Sequence, residues 1–174
     1  MRGSVEVHRY LVERSIPHEF YRLERPLRRI DEASAVLGLQ PEIVVSAELF
    51  DSPAGPILAL TPASRCASAP AVARAADTIR ARPMSAARTA AATGYFADWV
   101  PPVGHERPAR IVIDSSLLDS DVLYASGGDT GVMLVIRSAD LMRATAAVVA
   151  PLCEPEEAVD LEAPAERLEA PAAS

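Results

Sequence analysis

The sequence contains no lysine, and all 17 of its basic side chains are arginine. A site whose chemistry requires a lysine ammonium is therefore excluded, because a guanidinium is a broader and differently hydrated cation. Cysteine is also scarce. Cys66 and Cys153 form neither a CxxC motif nor a metal-ligand spacing, so we expect a protein of the reducing cytoplasm that holds no metal.

Long apolar segments are missing as well. The longest, residues 144–152, is interrupted by Thr145 and is much shorter than a membrane-spanning helix. The first residues, Met1 to Glu6, lack the apolar core of a signal peptide. These absences predict a cytoplasmic protein that has no membrane partner.

Negative charge is concentrated toward the C-terminal end. The net charge is −7, and residues 154–174 hold seven acidic side chains against one arginine. The rest of the chain is therefore close to neutral. This argues against a long groove that binds many nucleic-acid phosphates, but it permits binding of a single-stranded end. The bias of residues 154–174 toward Glu, Pro and Ala predicts a disordered or transiently helical tail.

The apolar periodicity predicts one α+β domain. Helices are predicted over residues 5–14, 29–37, 69–81, 84–92 and from 138 onward. Strands are predicted over residues 18–23, 43–50, 56–60, 110–113, 122–125 and 131–136, with a hairpin turn at 51–55. Gly38 is expected to cap the end of the second helix and Ser138 the start of the last. A length of 174 residues suits one substantial core and is too short for two.

Six short motifs of turn-forming and small residues stand along the chain. They are Leu37-Gly38-Leu39-Gln40-Pro41, Leu60-Thr61-Pro62, Ala92-Thr93-Gly94-Tyr95, Pro102-Val103-Gly104-His105, Ile113-Asp114 and Ser126-Gly127-Gly128. In order and spacing the chain resembles the YbaK/prolyl-tRNA-synthetase-associated domain family over residues 4–150. The resemblance implies a single YbaK-like domain, residues 1–153, built as a curved mixed β-sheet or partial barrel surrounded by helices, with residues 154–174 as an acidic tail.

The resemblance also implies an activity, the hydrolysis of the ester that joins a wrong amino acid to the 3′ end of a tRNA. Relatives act on tRNA(Pro) or on other tRNAs that carry small residues such as cysteine, alanine or serine. A separate hydrolytic site is needed because a synthetase pocket discriminates against a smaller amino acid by a binding free energy of only about 1–3 kcal/mol. The implied partners are the aminoacylated 3′ end of tRNA and an aminoacyl-tRNA synthetase, with the chain acting as a monomer. No phosphate loop or dinucleotide fingerprint occurs in the sequence, so no cofactor is expected.

The chain departs from the family pattern at the presumed catalytic positions. Family members use a lysine on the strand equivalent to residues 43–50 to position the terminal adenosine, and a glycine-containing loop to bring backbone groups beside the ester. Alignment of the motifs puts Ser46 at the lysine, and Asp98 and Trp99 at the loop glycines. Serine carries no charge, and a carboxylate opposes the negative charge that develops during ester hydrolysis. Two interpretations follow: an aminoacyl-tRNA deacylase with a remodelled site, or a catalytically impaired binding or regulatory homologue.

Three side chains near these positions have alternative roles. Arg65 either brings a guanidinium into the pocket or lies on the surface at the start of a helix. Asp98 either acts as a general base on water or is a solvated loop acid. Trp99 either stacks on the terminal adenine or fills the space that glycines leave open in relatives.

The other candidate residues would frame the pocket that the resemblance implies. The substrate-binding set is Thr61, Gly94, Tyr95, Trp99, Pro102, Gly104, His105, Asp114, Ser126, Gly127 and Gly128, beside the two catalytic positions Ser46 and Asp98. His105 lies on the pocket rim or makes a loop hydrogen bond, and Asp114 contacts the ligand or caps a turn. The segment Ser126–Gly128 offers backbone N–H groups to a ligand or forms a tight turn between strands.

Overall fold

The computed structural model describes residues 1–154, so the predicted disorder of the tail lies outside the described residues, apart from Glu154. Within this range the helices are α1 Ser4–Glu13, α2 Glu32–Leu37, α3 Ala69–Ala75, α4 Ala86–Thr93 and α5 Ser138–Thr145. The strands are β1 Glu19–Arg22, β2 Val45–Asp51, β3 Ile57–Pro62, β4 Arg82–Pro83, β5 Arg110–Asp114, β6 Val122–Ser126, β7 Val132–Arg137 and β8 Val148–Ala150. Short 3₁₀ turns lie at Pro41–Ile43, Ala97–Trp99 and Ser115–Asp119.

The strands form two sheets. An antiparallel sheet has the order β1-β7-β6, and a mixed sheet has the order β4-β2-β3-β5-β8. In the mixed sheet β2 and β3 are antiparallel, whereas β5 is parallel to both β3 and β8. A bridge between Val44 and Tyr124 links the two sheets, and neither closes on itself within residues 1–154. The predicted α+β domain is confirmed, with its strands divided between two open sheets.

The β2–β3 hairpin, predicted from the sequence, separates two apolar layers. Its side chains alternate between the faces of the sheet, and its register pairs Ser46 with Thr61 and Phe50 with Ile57. One face lies in the main core with α1 and α5. The other face packs Phe50 and Ile57 against α3. Ser46 and Glu48 share this second face, beyond the apolar cluster, and they border a cavity.

The helix predicted over residues 69–81 is shorter than expected. α3 ends at Ala75, and Asp77 has a φ of 52°, through which a right-handed helix does not continue. Residues 76–81 form turns and irregular chain, and β4 then pairs with the end of β2 directly after the predicted helix range. The serine cap predicted for the last helix is wrong by one residue, because Ser138 is already helical and Arg137 occupies the cap position.

No helix within residues 1–154 has both the length and the hydrophobicity needed to cross a membrane. The helices instead cover the sheets, and their buried residues, such as Val7 and Leu11 of α1 and Leu141 of α5, join the main core.

Asp114 anchors the C-terminal segment from inside the fold. Its side chain is 2% exposed, and its Oδ1 accepts hydrogen bonds from the backbone N–H groups of Leu152 at 2.7 Å and Cys153 at 3.3 Å. Its Oδ2 accepts from the backbone N–H of Ser116 at 3.2 Å and from the Ser116 hydroxyl. Burial by itself raises the pKa of Asp114, but these hydrogen bonds together outweigh it and hold the pKa below its ordinary value.

We expect Asp114→Asn to lower the free energy of unfolding at pH 7 by about 1.5–3 kcal/mol, because hydrogen bonds to a charged acceptor are lost. Since the folded pKa is the lower one, the carboxylate stabilises the fold above the ordinary carboxyl pKa, and this contribution is lost as the pH falls through the folded pKa. Urea unfolding at pH 7 and pH 3 measures both effects. A difference between wild type and variant that is the same at both pH values would contradict the expectation.

Candidate functional site

A cavity with a volume of about 340 Å³ opens on the face of the mixed sheet that carries Ser46 and Thr61. Its floor is the β2–β3 hairpin. Its walls come from residues 29–31 before α2, the loop after β3, the start of α4 and the Ala97–Trp99 turn. Segments that are far apart in the chain therefore converge on one concave surface, which is the usual form of a small-molecule site.

Two hydroxyl side chains lie side by side on the cavity floor. Ser46 and Thr61 are opposite each other in the antiparallel register, so their side chains share a face. Thr61 is 4% exposed and Ser46 is half-buried. Asp98, an exposed residue of the Ala97–Trp99 turn, lines the same cavity. The structure thus brings together three of the predicted site residues, including both catalytic positions.

Charged side chains of both signs line the cavity. Arg29 and Arg65 supply the guanidinium groups, and Asp31, Glu48 and Asp98 supply carboxylates. Arg29 pairs with Oδ2 of Asp31 at 3.1 Å. The other oxygen of Asp31, Oδ1, is buried and has no hydrogen-bond partner among the described residues. The cavity wall therefore holds an ion pair whose carboxylate has one oxygen without a hydrogen-bond partner among the described residues.

Arg65 is among the residues that line the cavity and is also a surface residue shortly before α3, so its position fits both interpretations. The residue is exposed, and its Nη2 donates a hydrogen bond to the backbone oxygen of Glu154 at 3.1 Å. A guanidinium has five N–H donors, so this bond leaves the others available to a ligand. With no lysine in the chain, Arg65 and Arg29 are the cations of this cavity.

Glu48 is a cavity residue that sequence reasoning missed. It follows Ser46 by two positions in β2, so the strand period of two places both on the same face. Burial raises the pKa of Glu48. A carboxylate with a perturbed pKa in a cleft is a typical feature of functional sites. The signal was present in the sequence, because the predicted strand over residues 43–50 fixes which neighbours share the face of Ser46.

The Trp99 side chain is buried and does not line the cavity of Ser46. It is 1% exposed and packs in a core cluster with Val44 and Met133. Its Nε1 donates to the backbone oxygens of Leu27 and Arg28, both at 3.2 Å. An indole buried on both faces has no surface for a base, so stacking on the terminal adenine is excluded and the space-filling alternative describes its position.

Pro102, Gly104 and His105 line a different hollow of about 330 Å³, together with Tyr10 and Arg14. His105 Nε2 donates to the backbone oxygen of Pro101 at 2.7 Å, and burial lowers the pKa of His105. The loop hydrogen bond expected as one alternative is therefore present. None of these three residues lines the cavity of Ser46, because the chain turns away from it after Val100.

Tyr95 and Gly94 are structural parts of the same region. The Tyr95 side chain is 1% exposed and its hydroxyl donates to the backbone oxygen of Gly104 at 2.7 Å. Gly94 ends α4 with a φ of 78°, a left-handed conformation that glycine adopts without strain. Both residues lie outside the cavity lining.

The backbone N–H groups of the Ser126–Gly128 segment are already used within the fold. Gly127 donates to the backbone oxygen of Val132 at 2.7 Å, and Gly128 donates to the Ser126 hydroxyl at 3.1 Å. The Ser126 hydroxyl in turn donates to the backbone oxygen of Trp99 at 2.6 Å. The segment is therefore the tight turn of the second alternative, and it supports the loop that carries Asp98. Like Asp114, it does not line the cavity.

Comparison with known sequences gives one family. Residues 24–144 match the model of a family described as the aminoacyl-tRNA editing domain. No curated protein sequence matches the chain.

Three solved structures share the fold. The hypothetical protein APE2540 has a TM-score of 0.80 at 26% identity, over 86% of this chain and 99% of its own. A scaffold protein from a study of epitope backbone grafting by computational design has a TM-score of 0.78 at 27% identity, over 87% of this chain and 97% of its own. A protein described as a candidate trans-editing enzyme for prolyl-tRNA synthetase has a TM-score of 0.79 at 24% identity, over 87% and 97%, a likeness that shows the fold alone.

Proposed function

Because the chain belongs to the aminoacyl-tRNA editing domain family, we propose that it hydrolyses the ester between a wrong amino acid and the 3′-terminal adenosine of a tRNA. The observation that supports this most is the meeting of Ser46, Thr61 and Asp98 in one cavity. The two predicted catalytic positions, Ser46 and Asp98, border this cavity, whereas Trp99, the third position predicted to depart from the family pattern, is buried beside it. The substitutions at Ser46 and Asp98 would therefore act on a single site.

Ester hydrolysis requires a base for the nucleophile and a stabiliser for the carbonyl oxygen. In the proposed mechanism Asp98 accepts a proton from water, and the water oxygen bonds to the ester carbon. Arg65 stabilises the negative charge that forms on the carbonyl oxygen. When the bond from that carbon to the ribose oxygen breaks, Asp98 returns the proton to the ribose, and a free amino acid and a tRNA hydroxyl are released.

Glu48 suits the α-ammonium group that every aminoacyl ester carries. Its carboxyl group lines the cavity, two positions after Ser46 on the same face of β2, and partial desolvation there raises its pKa. A bound ammonium group would pair with this carboxylate, so we assign Glu48 to recognition of the amino group and Ser46 and Thr61 to hydrogen bonds with the amino acid.

We propose that residues 1–153 form the editing domain and residues 154–174 an acidic tail outside it. The structural relative described as a candidate trans-editing enzyme for prolyl-tRNA synthetase suggests a synthetase as partner. A nearly neutral body has few phosphate contacts of its own, and delivery by a synthetase would compensate for that weakness.

Filling the cavity tests the proposed site. Ser46→Leu places a larger side chain on the cavity floor, and we expect it to lower kcat/KM for deacylation about 10- to 100-fold, as overpacking of a site does. The assay follows release of amino acid from tRNA charged with alanine, cysteine, serine or proline. Ala109→Leu, which fills the hollow of His105 in the same way, is the matched control and should retain activity.

The outcomes separate the two classes of function. Loss of activity in Ala109→Leu with retention in Ser46→Leu would place the reaction in the other hollow. Absence of release by the wild-type protein with all four tRNAs would reject deacylation and leave the impaired binding homologue.

A further inference from the structure

A groove runs from the cavity across the neighbouring surface. It has a volume of about 530 Å³, and its lining includes Pro26, Leu27 and Arg28 before α2, Ala90 of α4, and Phe96 and Trp99. Ala86, Ala97 and Asp98 line both the groove and the cavity, so the two are continuous. A ligand in the cavity would therefore lie next to the groove.

Phe96 is an exposed aromatic side chain at this groove. The residue is 51% exposed, although its backbone oxygen is fixed by a hydrogen bond from the Trp99 N–H at 2.9 Å. The buried Trp99 thus forms the base of the turn, and the ring of Phe96 stands at its surface. An exposed ring on a fixed backbone is suited to stacking on a planar group, and every nucleobase has such a face.

The charge beside the groove favours a polyanion over an apolar peptide. Arg28 lines the groove, Arg25 is exposed in the same segment, and Arg29 lines the cavity, where it pairs with Asp31. Asp98 is the carboxylate at the junction, where it can accept a hydrogen bond from a sugar hydroxyl. Stacking surface, cations and a hydroxyl acceptor together match a short single-stranded RNA, in which base, phosphate and ribose recur in turn.

From this arrangement we propose that the Phe96–Arg28 groove binds the unpaired nucleotides that precede the aminoacylated adenosine. The inference rests on the proposed function, because it takes the esterified amino acid to lie in the cavity. Phe96 stacks on a base, Arg28 contacts a phosphate, and Asp98 faces the terminal ribose. The occupant is the single-stranded 3′ end, and the double-stranded stem lies outside the groove.

Binding of uncharged RNA tests this without any turnover. The probes are two fluorescein-labelled RNA hairpins, one with a single-stranded CCA 3′ end and one with a blunt end, followed by fluorescence anisotropy with the full chain. We expect Phe96→Ala to raise the Kd for the CCA hairpin about 5- to 100-fold and to leave the blunt hairpin unchanged. Phe96→Trp should retain the wild-type Kd. Arg28→Gln should reduce the slope of log Kd against log salt concentration by about one, the value expected for the loss of one phosphate contact.

Tyr21→Ala is the matched control, because Tyr21 is an aromatic residue of similar exposure, 50%, on the edge strand β1. It should bind both hairpins as the wild type does. Equal Kd values of wild type and Phe96→Ala for the CCA hairpin, or an equal loss on both hairpins, would overturn the inference. If the wild type deacylates charged tRNA but binds the CCA and blunt hairpins equally, the groove proposal fails while the proposed function stands. If the wild type binds the CCA hairpin preferentially but does not deacylate charged tRNA, the proposed function fails while the groove proposal stands.

Discussion

Asp98→Asn is expected to lower kcat for ester hydrolysis by about 10²- to 10⁴-fold, the usual contribution of a general base. Asparagine keeps the size of the side chain but cannot take a proton from water. KM should change little, because the amide can still accept a hydrogen bond from the terminal ribose. Single-turnover deacylation of a charged tRNA measures the chemical step directly. Asp98→Glu, which restores a carboxylate on a longer side chain, should recover part of the loss.

Asp119→Asn is the control for this variant. Asp119 is also an exposed aspartate in a 3₁₀ turn, Ser115–Asp119, and it lies away from the cavity. Its substitution should leave kcat unchanged. Full activity of Asp98→Asn would show that the carboxylate is not the base, and increased activity would show that its charge opposes the reaction.

Trp99→Ala is expected to lower the free energy of unfolding by about 3–5 kcal/mol, the cost of removing a large buried aromatic side chain. The indole is 1% exposed and lies in one cluster with Leu23, Ile30 and Met133. Its loss also frees the backbone oxygens of Leu27 and Arg28 from their N–H donor. Because these oxygens lie in the segment that leads to Arg29, we expect the cavity wall to loosen with the core.

Two variants separate the packing of Trp99 from its hydrogen bond. Trp99→Phe retains most of the ring volume and removes the N–H, so it should cost about 1–3 kcal/mol. Phe96→Ala, three residues earlier and exposed, should change stability by less than about 0.5 kcal/mol. Urea unfolding followed by circular dichroism measures all three. A Trp99→Ala variant as stable as Phe96→Ala would contradict the buried position of the indole.

Local sequence features predicted much of the framework. Gly38 ends α2 with a φ of 66° and Gly94 ends α4 with a φ of 78°, which are conformations that favour glycine. The hairpin of β2 and β3 followed from two apolar runs around a turn. The register of this hairpin pairs Ser46 with Thr61, so their proximity depends on residues that are near each other in the chain.

The site was predicted in part. His105 and the Ser126–Gly128 segment each had two interpretations, a place on the pocket or a role within the fold, and their polar groups are bonded to Pro101, Val132 and other parts of the fold. A motif shows that a turn is present, but it does not show which side of the turn is exposed. Glu48 belongs to no motif, but the strand period places it on the face of Ser46, whereas the position of Phe96 at the groove follows from the tertiary structure alone.

The sequence by itself determined the α+β class, the family, the absence of any lysine ammonium and the turns at glycine, because these depend on composition and on neighbours along the chain. The tertiary structure alone decided that Trp99 is buried and Phe96 exposed within one loop. The orientation of Trp99 depends on contacts with Leu27, Arg28 and Ser126, which are far away in the chain. Side-chain direction in a loop is fixed by such long-range contacts, since no helical or strand period constrains it locally.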